Sequence, residues 1–311
     1  MPAKVSALKA HASLILGVAA SFAYGFWGFF EKLAGADDVL AINTVVYATA
    51  FVLSLSGLFR WKPPSIAAFT CGIAGGGINA LILVALRQHP LILVYPFVSL
   101  GTIFFVLFTF FFLGGSFEIR SKPLLFSGII VALLGTIVCS IGLVGGVGKI
   151  FNHSIDPTSV CVGLLISVLT GLWLFLAFLT ITRDGYSPSI AATWVFLGSL
   201  SIAIFMAILI PPGLKWPSHT STTAYGLLAG VFMFLGEYST YHSFRAAPSA
   251  DRRLEQAITA FLSNSELVPI FLLSWIVLGE RTGEGIIGSA FVFAGVLMLN
   301  ASRSQDSDAS Q

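Results

Sequence analysis

The chain has 311 residues, of which 56% are hydrophobic and only 10% are charged. A soluble protein carries roughly 25% charged residues, whereas this sequence has 16 Lys plus Arg and 14 Asp plus Glu. This composition excludes a soluble globular protein and a disordered one. A net charge of +2 also leaves too few cations for a nucleic-acid-binding face, so we expect no nucleic-acid partner.

Apolar segments recur along the whole chain, and most are about 17–25 residues long, the length that a helix needs to cross a bilayer. In chain order they occupy 11–30, 38–59, 66–86, 91–114, 123–145, 158–182, 189–210, 222–245, 255–278 and 284–300. This pattern predicts an all-α polytopic membrane protein with ten transmembrane helices, whose main surroundings are the lipid bilayer. The connections are too short for a separate catalytic domain, so function is expected inside the helical bundle.

The distribution of Lys and Arg predicts the orientation in the membrane. If the N-terminus is cytoplasmic, eleven of these residues fall on the cytoplasmic side and five on the opposite side. This excess predicts that both termini, including a short C-terminal tail, are cytoplasmic. We expect a multi-pass protein of a plasma or inner membrane rather than of an organelle membrane, and a homodimer stays open.

Glycine and tryptophan positions recur between the two halves of the chain. The repeated positions pair Gly17, Gly25 and Trp27 with Gly163, Gly171 and Trp173, then Gly72, Arg87 and Pro90 with Gly230, Arg245 and Pro248, and finally Gly128 and Gly135 with Gly288 and Gly295. Residues 1–150 and 151–311 are therefore predicted to be two five-helix repeats. Because five is odd, the second repeat enters the membrane from the opposite side, an inverted repeat typical of secondary transporters.

A family resemblance follows from these features. Two five-helix halves, the sequence Gly-Phe-Trp-Gly-Phe-Phe-Glu-Lys-Leu-Ala at 25–34, and Leu-Gly-Glu-Arg at 278–281 resemble the drug/metabolite transporter (DMT) superfamily, EamA type. The resemblance implies a cavity lined mainly by helices 1, 3, 4, 6, 8 and 9. It does not fix the substrate, because the superfamily carries amino acids, amines, sugars, nucleotide sugars and drugs. One departure is Gly115, where the first half of the family pattern would place an acid.

Two acidic residues lie near the middle of predicted helices. A carboxylate there costs about 2.5–3.5 kcal/mol on insertion scales, so Glu237 and Glu266 are candidates for substrate or proton binding. The alternative is that each is a protonated acid bonded to the backbone. Asn79 is the repeat partner of Glu237, and Asn264 lies close to Glu266 in a polar stretch.

Aromatic residues near these acids complete the predicted substrate site. Tyr241 lies one helical turn after Glu237, and Tyr238 is adjacent to it, although both also fit aromatic residues of the membrane interface. Trp27 and Trp173 occupy equivalent repeat positions and could present cation–π surfaces to a cavity, or could simply pack between helices.

The function predicted from the sequence is secondary transport of a small neutral or cationic metabolite by alternating access, with proton coupling as one option. Arg and Lys are absent from the predicted helix centres, which disfavours organic phosphates as substrates. The three cysteines, Cys71, Cys139 and Cys161, lack metal-ligand spacing, and we expect no metal, no cofactor and no enzymatic activity. The alternative is a membrane-embedded scaffold, signalling protein or enzyme without transport activity.

Overall fold

A computed structural model describes residues 2–34, 39–55, 66–113, 123–143, 157–182, 184–210, 219–246, 266–280 and 283–308. Almost all of these residues are helical. The helices, in chain order, are α1 (Pro2–Ala34), α2 (Val39–Ser54), α3 (Ile66–Gln88), α4 (Leu91–Leu113), α5 (Pro123–Leu143), α6 (Pro157–Thr182), α7 (Pro188–Leu209), α8 (Thr220–Ala246), α9 (Leu267–Leu272, followed by a π-helical turn Leu273–Val277) and α10 (Gly283–Asp308).

Three of the described helices are long and apolar enough to cross a membrane: α3, α7 and the segment Val160–Thr182 of α6. Shorter apolar helical stretches occur in α2, α4, α5 and α10. Large apolar side chains cover outward faces, with Phe111, Phe112 and Ile276 more than two thirds exposed. A helical protein that turns such side chains outward is suited to lipid rather than to water, so the composition and the fold are both compatible with a membrane protein.

The helices form one interlocked bundle in which partners come from both halves of the chain. Helix α1 packs along α8, α3 packs along α6 and α7, and α2 packs along α7 and α8. Helix α4 lies against α6, and α5 against α10. Residues from α1, α2, α3, α4, α6, α8 and α9 therefore meet in the interior, where the functional site described below is found.

Glycines set the closest helix crossings. A side chain at Gly72 of α3 would collide with the backbone of α7 at Val195 and Gly198. Gly135 of α5 and Gly288 of α10 face each other in the same way, each against the backbone of the other. Small residues at such crossings let helix backbones approach closely, which is the usual basis of helix association in membranes.

Helix α1 differs from its prediction in a way that matters for the site. The first apolar segment was expected to end at residue 30, because Glu31 and Lys32 are charged. The helix instead continues to Ala34, and Glu31 is buried in the bundle. The charged pair therefore does not mark the boundary of the buried helix.

Candidate functional site

Three buried carboxyl groups define the candidate site. Glu31 of α1, Glu237 of α8 and Glu266, just before α9, are each 1% exposed. Both carboxyl oxygens of Glu31, both of Glu266 and one of Glu237 lack a hydrogen-bond partner among the described residues. Buried polar atoms are normally satisfied within the protein or by a bound species, so this concentration of unpartnered oxygens points to a site for a ligand or a proton.

The sequence predicted two of these acids and missed the third. Glu237 and Glu266 lie inside long apolar segments, where a charge is conspicuous. Glu31 precedes Lys32, and both fall just after the predicted first segment, 11–30. The signal that could have identified it is its spacing from Tyr24 and Trp27, because positions i, i+3 and i+7 share one face of a helix. Glu31 therefore shares a helix face with two aromatic residues of the site.

Tyrosine side chains connect the three acids. The charge of Glu237 and that of Glu266 both act on Tyr24, and those of Glu237 and Glu31 both act on Tyr47. Tyr95 lies in the same way within reach of Glu31 and Glu266. Each of the three tyrosines is thus near enough to two of the acids to feel their charge.

An edge-to-face chain of aromatic rings forms the wall of the site. The centroid of Tyr24 lies 6.0 Å from that of Trp27 and 6.1 Å from that of Trp173. Trp27 in turn lies 6.2 Å from Tyr95. The indole N–H groups of Trp27 and Trp173 and the hydroxyl group of Tyr95 are buried without a hydrogen-bond partner in the described part of the chain. The predicted pair Trp27 and Trp173 is therefore brought together around Tyr24.

These rings enclose a narrow cavity. Its lining comprises Tyr24, Trp27, Tyr47, Gly75, Ile78, Ile82, Val98, Thr170, Trp173, Met233 and Glu266. Glu266 is the acidic residue of this lining, whereas Glu237 and Glu31 are not among the lining residues. About 30 Å³ of the cavity admits the centre of a water molecule, which is room for about two waters. A larger ligand would require the helices around the cavity to separate.

Asn79 lies beside the cavity in a hydrogen-bonded group of α2 and α3. Its amide N–H donates to the side-chain oxygen of Asn43 at 2.9 Å, while its own oxygen has no partner among the described residues. The hydroxyl group of Tyr47 donates to the carbonyl oxygen of Gly75 at 2.8 Å. These bonds join α2 to α3 at the cavity, whose lining includes Tyr47 and Gly75.

Glycines on α1 and α8 allow the site residues to approach the helix backbones. A side chain at Gly28 would meet the hydroxyl group of Tyr95, and one at Gly25 would meet the ring of Pro269. Gly236 provides the same space for Tyr24, whose hydroxyl group lies 3.2 Å from the side-chain oxygen of Thr240.

Not every predicted residue joins the site. Tyr241 is fully buried and lies next to Glu237, as expected. Tyr238 packs instead on Phe234 and His242, with ring centroids 5.6 and 4.4 Å away, and is absent from the cavity lining. The prediction for Asn264 falls outside the described residues. Tyr47, Tyr95 and Thr170 were not predicted, because their participation depends on how distant helices pack.

The nearest described cation is engaged elsewhere. Lys32 follows Glu31 in sequence, but its ammonium group donates to the carbonyl oxygens of Leu86 and His89 at 2.7 and 2.8 Å. It also lies 3.8 Å from a carboxylate oxygen of Glu280. No Lys or Arg side chain within the described ranges neutralises the three buried acids, so the site has an excess of negative charge whenever they ionise.

The site combines carboxyl groups with aromatic rings. Within the described residues, no three His, Cys, Asp or Glu side chains are placed to hold one metal ion. The three carboxyl groups are instead spread around the aromatic wall. Carboxylates and aromatic faces together bind organic ammonium groups, through charge and through cation–π attraction.

Comparisons with known proteins identify the fold but no family. No protein-family model matches the sequence, and no curated protein matches it. Twenty-eight chains of solved structures do match. One of them, titled only as the crystal structure of a protein, aligns with 93% of this chain and 98% of its own length, with a TM-score of 0.66 and 18% sequence identity. At that identity the similarity shows the fold alone.

Proposed function

We propose that this protein is a secondary transporter that moves a small organic cation, such as an amine, an amino acid or a cationic drug-like compound, across a membrane by alternating access. The observation that carries the proposal is a group of three buried acids around an aromatic cavity, which no cation among the described residues neutralises. The resemblance of the sequence to EamA-type permeases of the DMT superfamily points in the same direction.

Charge balance favours a cationic substrate. An ionised carboxylate in an apolar interior requires a nearby positive charge, and Lys32 is committed to carbonyl groups and Glu280. With no other cation of the described ranges at hand, the acids are expected to hold protons or to bind a positive ligand. Glu266, which lines the cavity, is the acid best placed to contact an ammonium group directly.

The aromatic wall supplies a second attraction for the same ligand. Trp27, Trp173 and Tyr24 present ring surfaces to one cavity, and a cation over such a face gains about 0.5–2 kcal/mol. An anionic substrate would gain nothing from these rings and would be repelled by the acids. Organic phosphates are therefore poor candidates.

Helix packing supports the inverted-repeat architecture that alternating access requires. If α1 to α5 correspond to α6 to α10 in order, the contact of α1 with α8 has its equivalent in that of α6 with α3. The contact of α4 with α6 likewise corresponds to that of α9 with α1, and α5 pairs with its own equivalent, α10. Such reciprocal pairing is what a twofold pseudo-symmetric bundle produces.

Individual glycine contacts follow the same correspondence. Gly25 of α1 lies against Glu266 and Pro269 of α9, and its repeat partner Gly171 lies against Gly101 and Phe104 of α4. Leu113–Gly114 and Leu278–Gly279 match at an offset of 165, and the same offset relates Gly101 to Glu266 and Phe104 to Pro269. The second half thus carries an acid where the first half has glycine, so the site is asymmetric even though the helices repeat.

Counterflow in proteoliposomes tests this proposal. Vesicles containing the purified protein are loaded with one member of a panel of amines, cationic amino acids and quaternary ammonium compounds, and uptake of the same labelled compound is followed. Saturable uptake of at least one cation, but not of organic phosphates, is expected. A scaffold, signalling protein or enzyme would give no uptake above protein-free vesicles, and this result would overturn the proposal.

A further inference from the structure

Two polar side chains of α6 line the cavity with unused hydrogen-bonding atoms. Thr170 and Trp173 lie about one helical turn apart, and both belong to the cavity lining. The hydroxyl oxygen of Thr170 and the indole nitrogen of Trp173 are buried and make no hydrogen bond within the described part of the chain. Since buried polar atoms are normally bonded to the protein or to a bound species, these two atoms are available to a ligand.

The hydroxyl group of Thr170 differs from that of another threonine in the same helix. Thr180 donates to the carbonyl oxygen of Leu176, one turn earlier, at 2.8 Å. Thr170 makes no such bond among the described residues. A side chain at Gly101 of α4 would meet the Cβ and methyl carbons of Thr170. The carbon side of Thr170 therefore packs against α4, which leaves its hydroxyl group for the cavity.

Gly75 of α3 provides space beside the indole N–H group of Trp173. It lines the cavity, and an added Cβ atom would lie 3.5 Å from the indole nitrogen and 3.4 Å from the hydroxyl oxygen of Ser199, which are ordinary contact distances. Side chains at Gly72 and Gly76 of the same helix would instead collide with the backbone of α7. Helix packing therefore accounts for Gly72 and Gly76, whereas the space at Gly75 opens to the cavity.

The acid of the cavity and these two donors lie on different walls. Glu266 directly precedes α9, which packs on α1, whereas Thr170 and Trp173 belong to α6, which packs on α3 and α4. An indole N–H can only donate a hydrogen bond, so it requires an acceptor atom. The described lining contains no Lys or Arg side chain that would neutralise a second negative charge near Glu266. An uncharged oxygen is therefore the acceptor that suits this wall.

We propose that Thr170, Trp173 and the bare backbone at Gly75 form a subsite for an uncharged oxygen atom of the substrate. The preferred substrate is then an organic cation that carries a hydroxyl or amide oxygen, rather than a plain alkylamine. This inference rests on the proposed function, since it narrows the substrate class of the same cavity. Glu266 contacts the ammonium group, and the N–H and O–H groups of α6 donate to the oxygen.

Isothermal titration calorimetry of the purified protein with matched cations tests the subsite. Choline is compared with propyltrimethylammonium, and ethanolamine with propylamine, because in each pair a methyl group replaces the hydroxyl group. The hydroxyl compound should bind more tightly by about 2- to 10-fold for each donor that it engages. Betaine, which carries a carboxylate, should bind more weakly than choline. Equal affinities within both pairs, tighter binding of betaine, or no binding of any probe would overturn the proposal.

Variants that each remove one donor test the assignment of the subsite to α6. Trp173→Phe and Thr170→Val should each lower the preference for choline over propyltrimethylammonium by about 2- to 10-fold. The affinity ratio is the readout, because a weaker cation–π attraction affects both compounds alike. Thr180→Val is the matched control in the same helix and should keep the wild-type ratio. A preserved ratio in both donor variants, or an equal loss in Thr180→Val, would contradict the subsite.

Gly75→Ala tests the same place while both donors stay in the protein. The added methyl group fits without collision, so the variant is expected to fold even if a donor variant does not. It fills the space beside the indole N–H group and should also lower the affinity ratio. A wild-type ratio in Gly75→Ala would show that the ligand oxygen does not lie at Gly75 and would overturn the proposal.

The binding and counterflow experiments fail independently. A wild-type protein that prefers choline to propyltrimethylammonium but shows no counterflow would remove the proposed transport and leave the oxygen subsite standing. A wild-type protein that exchanges amines without any preference for the hydroxyl compounds would remove the subsite alone.

Discussion

Glu266 is the residue that we expect to contact a bound ammonium group, because it is the acid that lines the cavity. Glu266→Gln retains the shape of the side chain and removes its charge. A hydrogen bond to a charged group contributes about 1.5–3 kcal/mol, so cation binding should weaken by about 10- to 150-fold. Isothermal titration calorimetry with the best amine of the counterflow panel measures this change.

Glu280→Gln, outside the cavity, is the matched control for this measurement. Equal weakening of amine binding by both variants would place the binding site elsewhere.

Trp27 and Trp173 are expected to act together on the ligand. Both line the cavity on either side of Tyr24, so Trp→Ala at either should weaken amine binding by roughly 0.5–2 kcal/mol. Bound ligand should also change their fluorescence. Trp275 is exposed and gives the control, since Trp275→Ala should leave binding intact. Unchanged affinity in both cavity variants would leave Trp27 and Trp173 as packing residues.

At the residue scale, an acidic site residue could be predicted from the sequence only where its neighbours are apolar. Glu237 and Glu266 stand out because their neighbours are apolar. Glu31 did not, because the adjacent Lys32 makes a charged pair that is typical of a helix end. Tyr47 and Tyr95 could not be predicted, since a tyrosine in an apolar helix becomes a site residue only through the rotation of that helix against others.

Helix crossings hold the bundle together, and the crossing of α5 with α10 offers a direct test of how tightly the helices pack. A methyl group at Gly135 would meet the carbonyl oxygen of Gly288 and the backbone nitrogen of Val292, and backbone cannot move aside. Gly135→Ala should therefore destabilise the protein by about 1–3 kcal/mol, seen as a lower Tm in detergent. Gly77 has no atom within 4 Å of the added position, so Gly77→Ala should be neutral or stabilising by up to about 1 kcal/mol. The opposite order of the two Tm values would refute this packing.

A second element-scale feature ties α1 to the connection before α10. Glu280 accepts the backbone N–H of Leu91 at 2.9 Å and thereby caps α4, while its other oxygen faces Lys32. Glu280→Ala should cost about 0.5–2 kcal/mol, as the loss of other helix caps does. Glu280→Gln keeps an acceptor for Leu91 and should cost less. Thermal unfolding followed by fluorescence distinguishes them, with exposed Asp184→Asn as the control; equal effects of Ala and Gln would show that the cap contributes nothing.

Helix positions were more predictable than helix partners. The apolar segments at 66–86, 158–182, 189–210 and 222–245 agree with α3, α6, α7 and α8 within a few residues, because length and hydropathy determine them. The packing of α1 along α8 and of α3 along α6 crosses between the halves of the chain. Such partnerships depend on three-dimensional fit at the glycine crossings, which residue spacing alone does not contain.

At the scale of the whole molecule, the proposed inverted repeat has a topological consequence. With ten spans and both termini in the cytoplasm, position 304 near the end of α10 and position 218 before α8 lie on opposite sides of the membrane. Ser304→Cys and Ser218→Cys are each made in a variant lacking the exposed Cys161. In intact cells a membrane-impermeant maleimide should label only the cysteine at 218. The cysteine at 304 should react only after the membrane is permeabilised. Labelling of both from the same side would be incompatible with the inverted repeat.

Cation transport that depends on the buried acids is the central claim, and flux driven by a pH gradient in proteoliposomes tests it most directly. Wild-type protein is compared with Glu237→Gln, Glu266→Gln and the double variant, using an amine that shows counterflow. Each single variant should lose gradient-driven uptake, and the double variant should be little worse, because groups that act as a unit are not additive. Undiminished uptake with unchanged pH dependence in both single variants would show that these carboxyl groups are structural and would contradict the claim.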